Sequence, residues 1–146
     1  MFTKKPQADH LPAFYALCSE ACGRAGEPAP AQEPFVRQYA VLLREQDVFL
    51  RLAFDGPHLA GFCQGVFCAP LPTAEKVCVI TSVYVAPAFR RRGAGSGLLL
   101  AAFAAARAVG AQELQVAVSR VDSGAQDFLE KNGFVRTAHC YGKAVG

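Results

Sequence analysis

The chain has 146 residues, of which 52% are hydrophobic and 18% charged, and a formal net charge of +3. That length holds one domain, 1–146, with a core of its own, and the composition excludes a disordered chain. Much of the positive charge lies in the single run Arg90-Arg91-Arg92, which points to one local anion and argues against a nucleic-acid partner, whose binders spread basic residues over a broad face.

Residues 2–5 read as a short edge strand. From Asp9, an expected N-cap, the apolar set Leu11, Phe14, Tyr15, Cys18, Ala21 and Cys22 has helical spacing and stops at Gly23. Gly26-Glu27-Pro28-Ala29-Pro30 cannot continue a helix and reads as a loop. A second helix fits Phe35, Val36, Tyr39, Leu42 and Leu43. Val48–Phe54, Leu59–Cys68 and Lys76–Val85 then read as a meander of antiparallel strands, joined by Asp55-Gly56-Pro57 and by the Pro70-Leu71-Pro72 loop. Gly97–Val109 reads as a helix burying Leu98, Leu99, Ala102, Phe103, Ala106 and Val109, with Gly110 as its stop. Leu114–Val118 is a short strand, Ser123–Lys131 a helix ended by Asn132-Gly133, and Phe134–Tyr141 a last strand. The order β-α-α-β-β-β-α-β-α-β implies an α/β (α+β) fold: a mixed, mostly antiparallel central sheet with helices on both faces.

The cysteines at 18, 22, 63, 68, 78 and 140 sit in apolar, regular segments without a Cys-x-x-Cys pair or a histidine pair beside them. Met1-Phe2-Thr3-Lys4-Lys5-Pro6 has no apolar stretch of a signal peptide, and no apolar run is long enough to span a membrane. Reduced, buried thiols, no metal site, no membrane partner and a cytoplasmic location are expected.

The sharpest local signal runs from Val85 to Leu99. A helix N-terminus carries partner-less N–H groups and about half a positive charge, so an anion there satisfies both. Gly93 and Gly95 clear side chains from those amides, Ser96 adds a hydroxyl, and Arg90, Arg91 and Arg92 offer bidentate donors to phosphate oxygens. Pro87 ends the strand before the turn. A Walker loop would need Gly-Lys-Ser/Thr where Gly95-Ser96-Gly97-Leu98 stands. A dinucleotide fingerprint would need glycine at Leu98, and Glu113 precedes its strand instead of ending it.

The run from Val83 to Leu99, Val-Tyr-Val-Ala-Pro-Ala-Phe-Arg-Arg-Arg-Gly-Ala-Gly-Ser-Gly-Leu-Leu, resembles the central motif of GNAT-type N-acetyltransferases: a strand ending in Val-x-Pro, then Arg/Gln-x-x-Gly-x-Gly/Ala, then a leucine-rich helix. Ala125, Phe128, Glu130-Lys131 and Gly133-Phe134 resemble the family's second conserved segment. The resemblance implies acetyl-CoA as co-substrate, its pyrophosphate held by amides of Arg91, Arg92, Gly93, Ala94, Gly95 and Ser96 beside Arg90. It places the pantetheine arm along the backbone of Val83 and Val85, and Phe128 among the cofactor contacts. An N–H near Val85 would polarise the thioester carbonyl. The implied reaction is direct attack by a primary amine of a small molecule or protein.

Two family features are missing. The strand position of the usual glutamate falls in Ile80-Thr81-Ser82, and that of the usual tyrosine is Leu129. Asp122 stands for the family's asparagine and also suits an N-cap. Water held by Thr81, Ser82 or Ser119 hydroxyls could relay protons; Tyr84, Tyr141, His139 or Cys140 could take over; or the domain could be a non-catalytic acyl-CoA-binding or sensing module. The acceptor pocket is expected from the 23–33 loop and the 70–74 loop, with Glu27, Glu33 and Glu75 as solvated acids and Phe35, Tyr39, Phe62 and Phe67 as core. Relatives in the family continue into a further strand beyond Gly133-Phe134, and an edge left open there favours a homodimer.

Overall fold

The computed structural model describes residues 1–118 and 123–146. Ser119 and Asp122, named above as a relay hydroxyl and an N-cap, lie outside the described residues. The chain divides into a unit 1–115 and a unit 116–146.

In the first unit, β1 (Phe2–Lys4) leads through a 3-10 turn into α1 (Leu11–Arg24) and α2 (Gln32–Arg44). The strands β2 (Val48–Asp55), β3 (His58–Cys68) and β4 (Val77–Val85) follow, then α3 (Ala94–Ala108) and β5 (Glu113–Val116). The sheet order is β1-β2-β3-β4-β5. The first four strands pair antiparallel. Gln112 N–H donates to Lys76 O just before both β5 and β4 begin, so β5 runs parallel to β4, starting level with it. The mixed, mostly antiparallel sheet expected from the sequence is therefore present.

Period-two alternation sorts the strands onto two faces. Leu50, Leu52, Phe54 and Phe62 form one buried cluster with Phe14 and Leu17 of α1 and Tyr39 and Leu42 of α2. Burying a side chain of this size contributes about 1.5–3 kcal/mol. On the other face α3 packs over β1 to β4 through Leu98, Leu99, Ala102 and Ala106. A Cβ on its Gly97 would lie 3.7 Å from Thr3 of β1, the residue paired with Ala53.

Several sequence expectations need correcting. Asp9 is not an N-cap: it lies inside the 3-10 turn Ala8–His10, and His10 Nδ1 accepts from Gln7 N–H at 3.0 Å. Gly23 does not stop α1. The helix runs on to Arg24 and closes where Gly26, at φ +75°, donates to Gly23 O, because the left-handed residue sets the stop and Gly26 holds it. Phe103 and Val109 are 51% and 39% exposed, since the inward stripe of α3 is narrow and filled by leucine and alanine. Cys68 is exposed, unlike the buried Cys63 and Cys78; all six thiols are free.

In the second unit, α4 (Ser123–Lys131) stops at Asn132-Gly133, where Phe134 N–H reaches back to Leu129 O at 3.0 Å. The strand expected over 134–141 is not formed. Val135 and Tyr141 are 78% and 90% exposed, and no ladder includes the segment, so His139 and Cys140 sit in an irregular exposed stretch. Alternating apolar residues make a strand only where a partner accepts their hydrogen bonds.

Candidate functional site

After Val85 the chain passes through a 3-10 turn, Pro87–Phe89, and the arginine run before α3 begins. α3 starts at Ala94, three residues before the expected Gly97, because Gly93 takes φ +85° as its N-cap. The first bond into the helix is Gly97 N–H to Gly93 O, 2.9 Å, so the amides of Ala94, Gly95 and Ser96 precede its ladder. Arg91 also has positive φ, 63°, on the other side of Arg92. Left-handed residues alternating along a turn point successive N–H groups into one concavity that suits an anion. The helix dipole adds to it.

The structure divides the three arginines. Arg90 Nε donates to Val85 O at 2.9 Å while its guanidinium lies over the Tyr84 ring at 5.9 Å. Arg92 pairs with Asp55 at 2.9 Å and covers Phe89. Arg91 is exposed beside the amide concavity, and its backbone strain is the kind that collects at ligand sites. Sequence spacing alone gave no sign of the Asp55 partner, 37 residues away.

Among the described residues of the first unit, the end of the strand entering this turn is paired with another strand on one edge only. Ala86 N–H donates to Ala60 O at 2.8 Å, which makes 60/86 a hydrogen-bonded pair; by alternation so are 62/84 and 64/82. The backbone groups of Val83 and Val85 therefore point away from β3. Four-residue β5 starts level with the beginning of β4, so it ends well short of them. The register slips between Gln64 and Gly65, leaving Thr81 as the extra residue on β4. Such a bulge adds twist and turns the rest of β4 away from its neighbour. Thr81 Oγ1 is tied to Gln64 O at 3.4 Å.

A cleft of about 320 Å³ opens on the α1–α2 face of the sheet. Phe14, Phe35, Tyr39, Leu42 and Phe62 form its apolar walls, with Cys18 and Cys22 along α1. Gln38, Gln64 and Ser82 supply its polar atoms. Burial, with Cys22 adding to it, pushes the Cys18 thiol up to about 12. Burial also raises the Tyr39 hydroxyl, with Asp9 adding to it; that hydroxyl donates to Gln7 O.

Of the loops expected to form the pocket, the first contributes Pro30, held by Tyr15 OH, and the 70–74 loop contributes no lining residue. Glu27, Glu33 and Glu75 are exposed, and Glu33 is paired with Arg37. Phe35, Tyr39 and Phe62 are core and cleft wall at once, while Phe67 packs against Phe49 with its ring tilted. Cys18, Cys22, Gln38 and Gln64 carried no motif.

Ser82 lines the cleft and Thr81 does not. Tyr84 packs against the α1–α2 cluster with its oxygen buried and no well-aligned hydrogen bond. Burial and then Glu20 raise its pKa against the nearby Arg24 and Arg90, so it holds its proton. Phe128 is half-buried on α4, where its carbonyl accepts from the Asn132 side chain at 2.8 Å, and Leu129 beside it is buried. Among the described residues, no helix is long and apolar enough to cross a membrane.

Solved structures resemble this fold over nearly its whole length. A transcriptional regulator from Bacillus halodurans C-125 matches with a TM-score of 0.87 at 20% identity, covering 97% of each chain. AAC(6')-Iy in complex with the bisubstrate analogue CoA-S-monomethyl-acetylneamine matches at 0.83 and 16% identity, covering 97% of this chain and 95% of the other. The aminoglycoside antibiotic 6'-N-acetyltransferase AAC(6')-IG from Acinetobacter haemolyticus matches at 0.79 and 17% identity, covering 100% of both. At these identities the likeness is one of fold. Curated proteins gave no match. The model of the acetyltransferase (GNAT) family matches residues 11–134, most of the chain and the whole of the strand–turn–helix site, and the protein belongs to that family.

Proposed function

We propose that the protein is an acetyl-CoA-dependent N-acetyltransferase that moves an acetyl group to a primary amine by direct attack on the thioester. The observation that carries this reading is the continuity of the free β4 edge with the amide concavity at the start of α3. An arm that pairs like a strand and ends in a pyrophosphate fits that path. The aminoglycoside acetyltransferases of the same fold add support, one of them seen with a bisubstrate CoA analogue.

In this reading the amides from Arg91 to Ser96 hold the pyrophosphate, with Arg91 as the uncommitted cation and Gly93 and Gly95 leaving room. Val83 through its backbone groups and Val85 through its N–H hold the pantetheine arm. Bound acetyl-CoA supplies a thioester whose carbonyl carbon forms a bond to the amine nitrogen as its bond to sulfur breaks, the amine's proton ending on the departing thiol. Val85 N–H faces the developing oxyanion. Arg90, steadied over Tyr84, occupies the Val85 carbonyl and fixes the Val85–Ala86 peptide, leaving the Val85 N–H for the ligand. Ser82 meets the amine at the cleft floor, and Thr81 keeps the bulge in place. Much of the acceleration is positioning, because the thioester arrives activated.

Incubation with acetyl-CoA and a broad amine panel should release free thiol with at least one amine. CoA alone should stabilise the fold, by about 2.7 kcal/mol at a hundred times its Kd. Stabilisation without thiol release would make the protein a non-catalytic acyl-CoA-binding or sensing module. Absence of both would remove the cofactor assignment.

A further inference from the structure

We propose that the acceptor is a small, apolar primary amine and that the cleft admits it as the uncharged free base. The proposal deepens the acetyltransferase reading and rests on it. Ligand cavities span about 300–1,000 Å³, and this one, at about 320 Å³, suits a molecule of one ring and a short chain. Its walls are aromatic and aliphatic, and its floor reaches β4 at Ser82, the neighbour of Val83 on the free edge.

Among the described lining residues there is no Asp, Glu, Lys, Arg or His. The charges on the flanking helices are exposed and paired nearby: Glu20 with Arg24 at 3.7 Å on α1, Glu33 with Arg37 at 3.0 Å on α2, and Arg44 at the end of α2 with Glu45 just beyond it at 3.6 Å. From β3 the cleft receives Gln64 and from β4 Ser82, both neutral, while Tyr84 holds its proton beneath α1. Cys18 and Tyr39 are likewise pushed away from ionising near neutrality. None of the described lining residues is a carboxylate, so the walls offer an ammonium no counter-charge.

An ammonium brought against such walls gives up part of its water without a counter-charge, which lowers its pKa. A neutral amine enters at little cost, its N–H groups able to donate to the oxygens of Gln64 and Ser82. Desolvation thereby performs the deprotonation that a strand carboxylate would otherwise serve, at the place where Ile80-Thr81-Ser82 carries none. A polycation such as an aminoglycoside would leave several ammonium groups unmatched.

The test uses the full chain with acetyl-CoA, comparing 2-phenylethylamine with kanamycin and spermidine. The aryl amine should be the better substrate by at least a hundredfold in kcat/KM. Its kcat/KM should rise tenfold per pH unit and level off at the amine's own pKa. A less basic amine of the same shape should move that break by the difference between the two amines. Faster turnover of kanamycin or spermidine, or a break that stays fixed when the amine is changed, overturns the proposal and leaves the acetyltransferase reading standing. If no amine releases thiol, that reading fails, and calorimetry on the CoA complex decides the proposal. Phenylethylamine binding with release of one proton supports it, and no binding overturns it. Gln64→Glu puts a carboxylate on the cleft floor at unchanged size. It should improve 1,4-diaminobutane relative to phenylethylamine at least tenfold, and an unchanged ratio in a variant that still binds CoA counts against the proposal.

Discussion

The turn that opens α3 and the cleft beneath α1 and α2 belong to the same unit and are built on opposite plans. The turn is drawn in backbone: amides before the helix ladder, two left-handed residues, and a strand edge whose free groups follow from ladder alternation. Its cations are largely committed elsewhere, Arg90 to Val85 and Arg92 to Asp55. The cleft is drawn in side chains from four elements, with no charge among them. A backbone site tolerates exchange of most side chains but not a change in shape. A side-chain site changes its ligand with one substitution.

Gly95→Glu attacks that difference most directly and should have the largest effect. Glutamate is a better helix former than glycine, and a negative charge in the first turn favours the dipole, so the fold should hold or gain up to about 1 kcal/mol. The same carboxylate would stand in the proposed pyrophosphate site, and CoA affinity should fall at least a hundredfold by calorimetry. A variant that keeps its CoA affinity would place the phosphates elsewhere and end the contrast.

The same contrast explains what the sequence disclosed. Backbone sites need glycine, proline and a following helix in fixed order, so the Val85–Leu99 site is written in one contiguous run. Its helix starts three residues before apolar spacing suggests, since that spacing begins only at Leu98 while the cap is set by the dihedrals of Gly93. Gly23 and Gly26 show the converse: both are glycines at a helix end, and only the backbone tells which turns left-handed. The stretch 134–141 alternates like a strand, but pairing is a property of the neighbour and not of the segment. The cleft was hidden most completely, because Cys18, Gln38, Gln64 and Ser82 meet only after four elements pack, and their spacing along the chain encodes nothing.

Gly61→Val should come next in size. A Cβ at Gly61 would lie 2.5 Å from the Tyr84 carbonyl oxygen and 3.2 Å from Val85 Cα, so the clash is with backbone and β4 must move. Overpacking of this kind costs about 1–3 kcal/mol. The displaced residues are those whose outward groups are proposed to hold the pantetheine, so CoA affinity should fall about tenfold as well. Gly65→Ala is the control: its Cβ would run into the Phe49 ring and lie 3.0 Å from Val79 O, on the far side of the Thr81 bulge from Val83 and Val85. It should lose stability in chemical denaturation yet bind CoA as before. Equal losses of CoA affinity in both would mean that the edge depends on the whole sheet and not on its own local geometry.

Asp55→Asn is expected to do least, and its smallness is informative. The Arg92–Asp55 pair is short, 2.9 Å, but the two side chains are 58% and 37% exposed. Exposed pairs contribute between about 0 and 1 kcal/mol, so denaturant midpoints should scarcely move. The change frees Arg92 and removes a negative charge near the turn, which should tighten CoA two- to threefold at low ionic strength. Screening should erase that gain at about 1 M salt, where the Debye length falls to about 3 Å. A gain of tenfold or more that survives high salt would mean that Arg92 makes a close, dry contact with the pyrophosphate. The turn would then be a side-chain site like the cleft, with Asp55 as the group that holds its principal cation back.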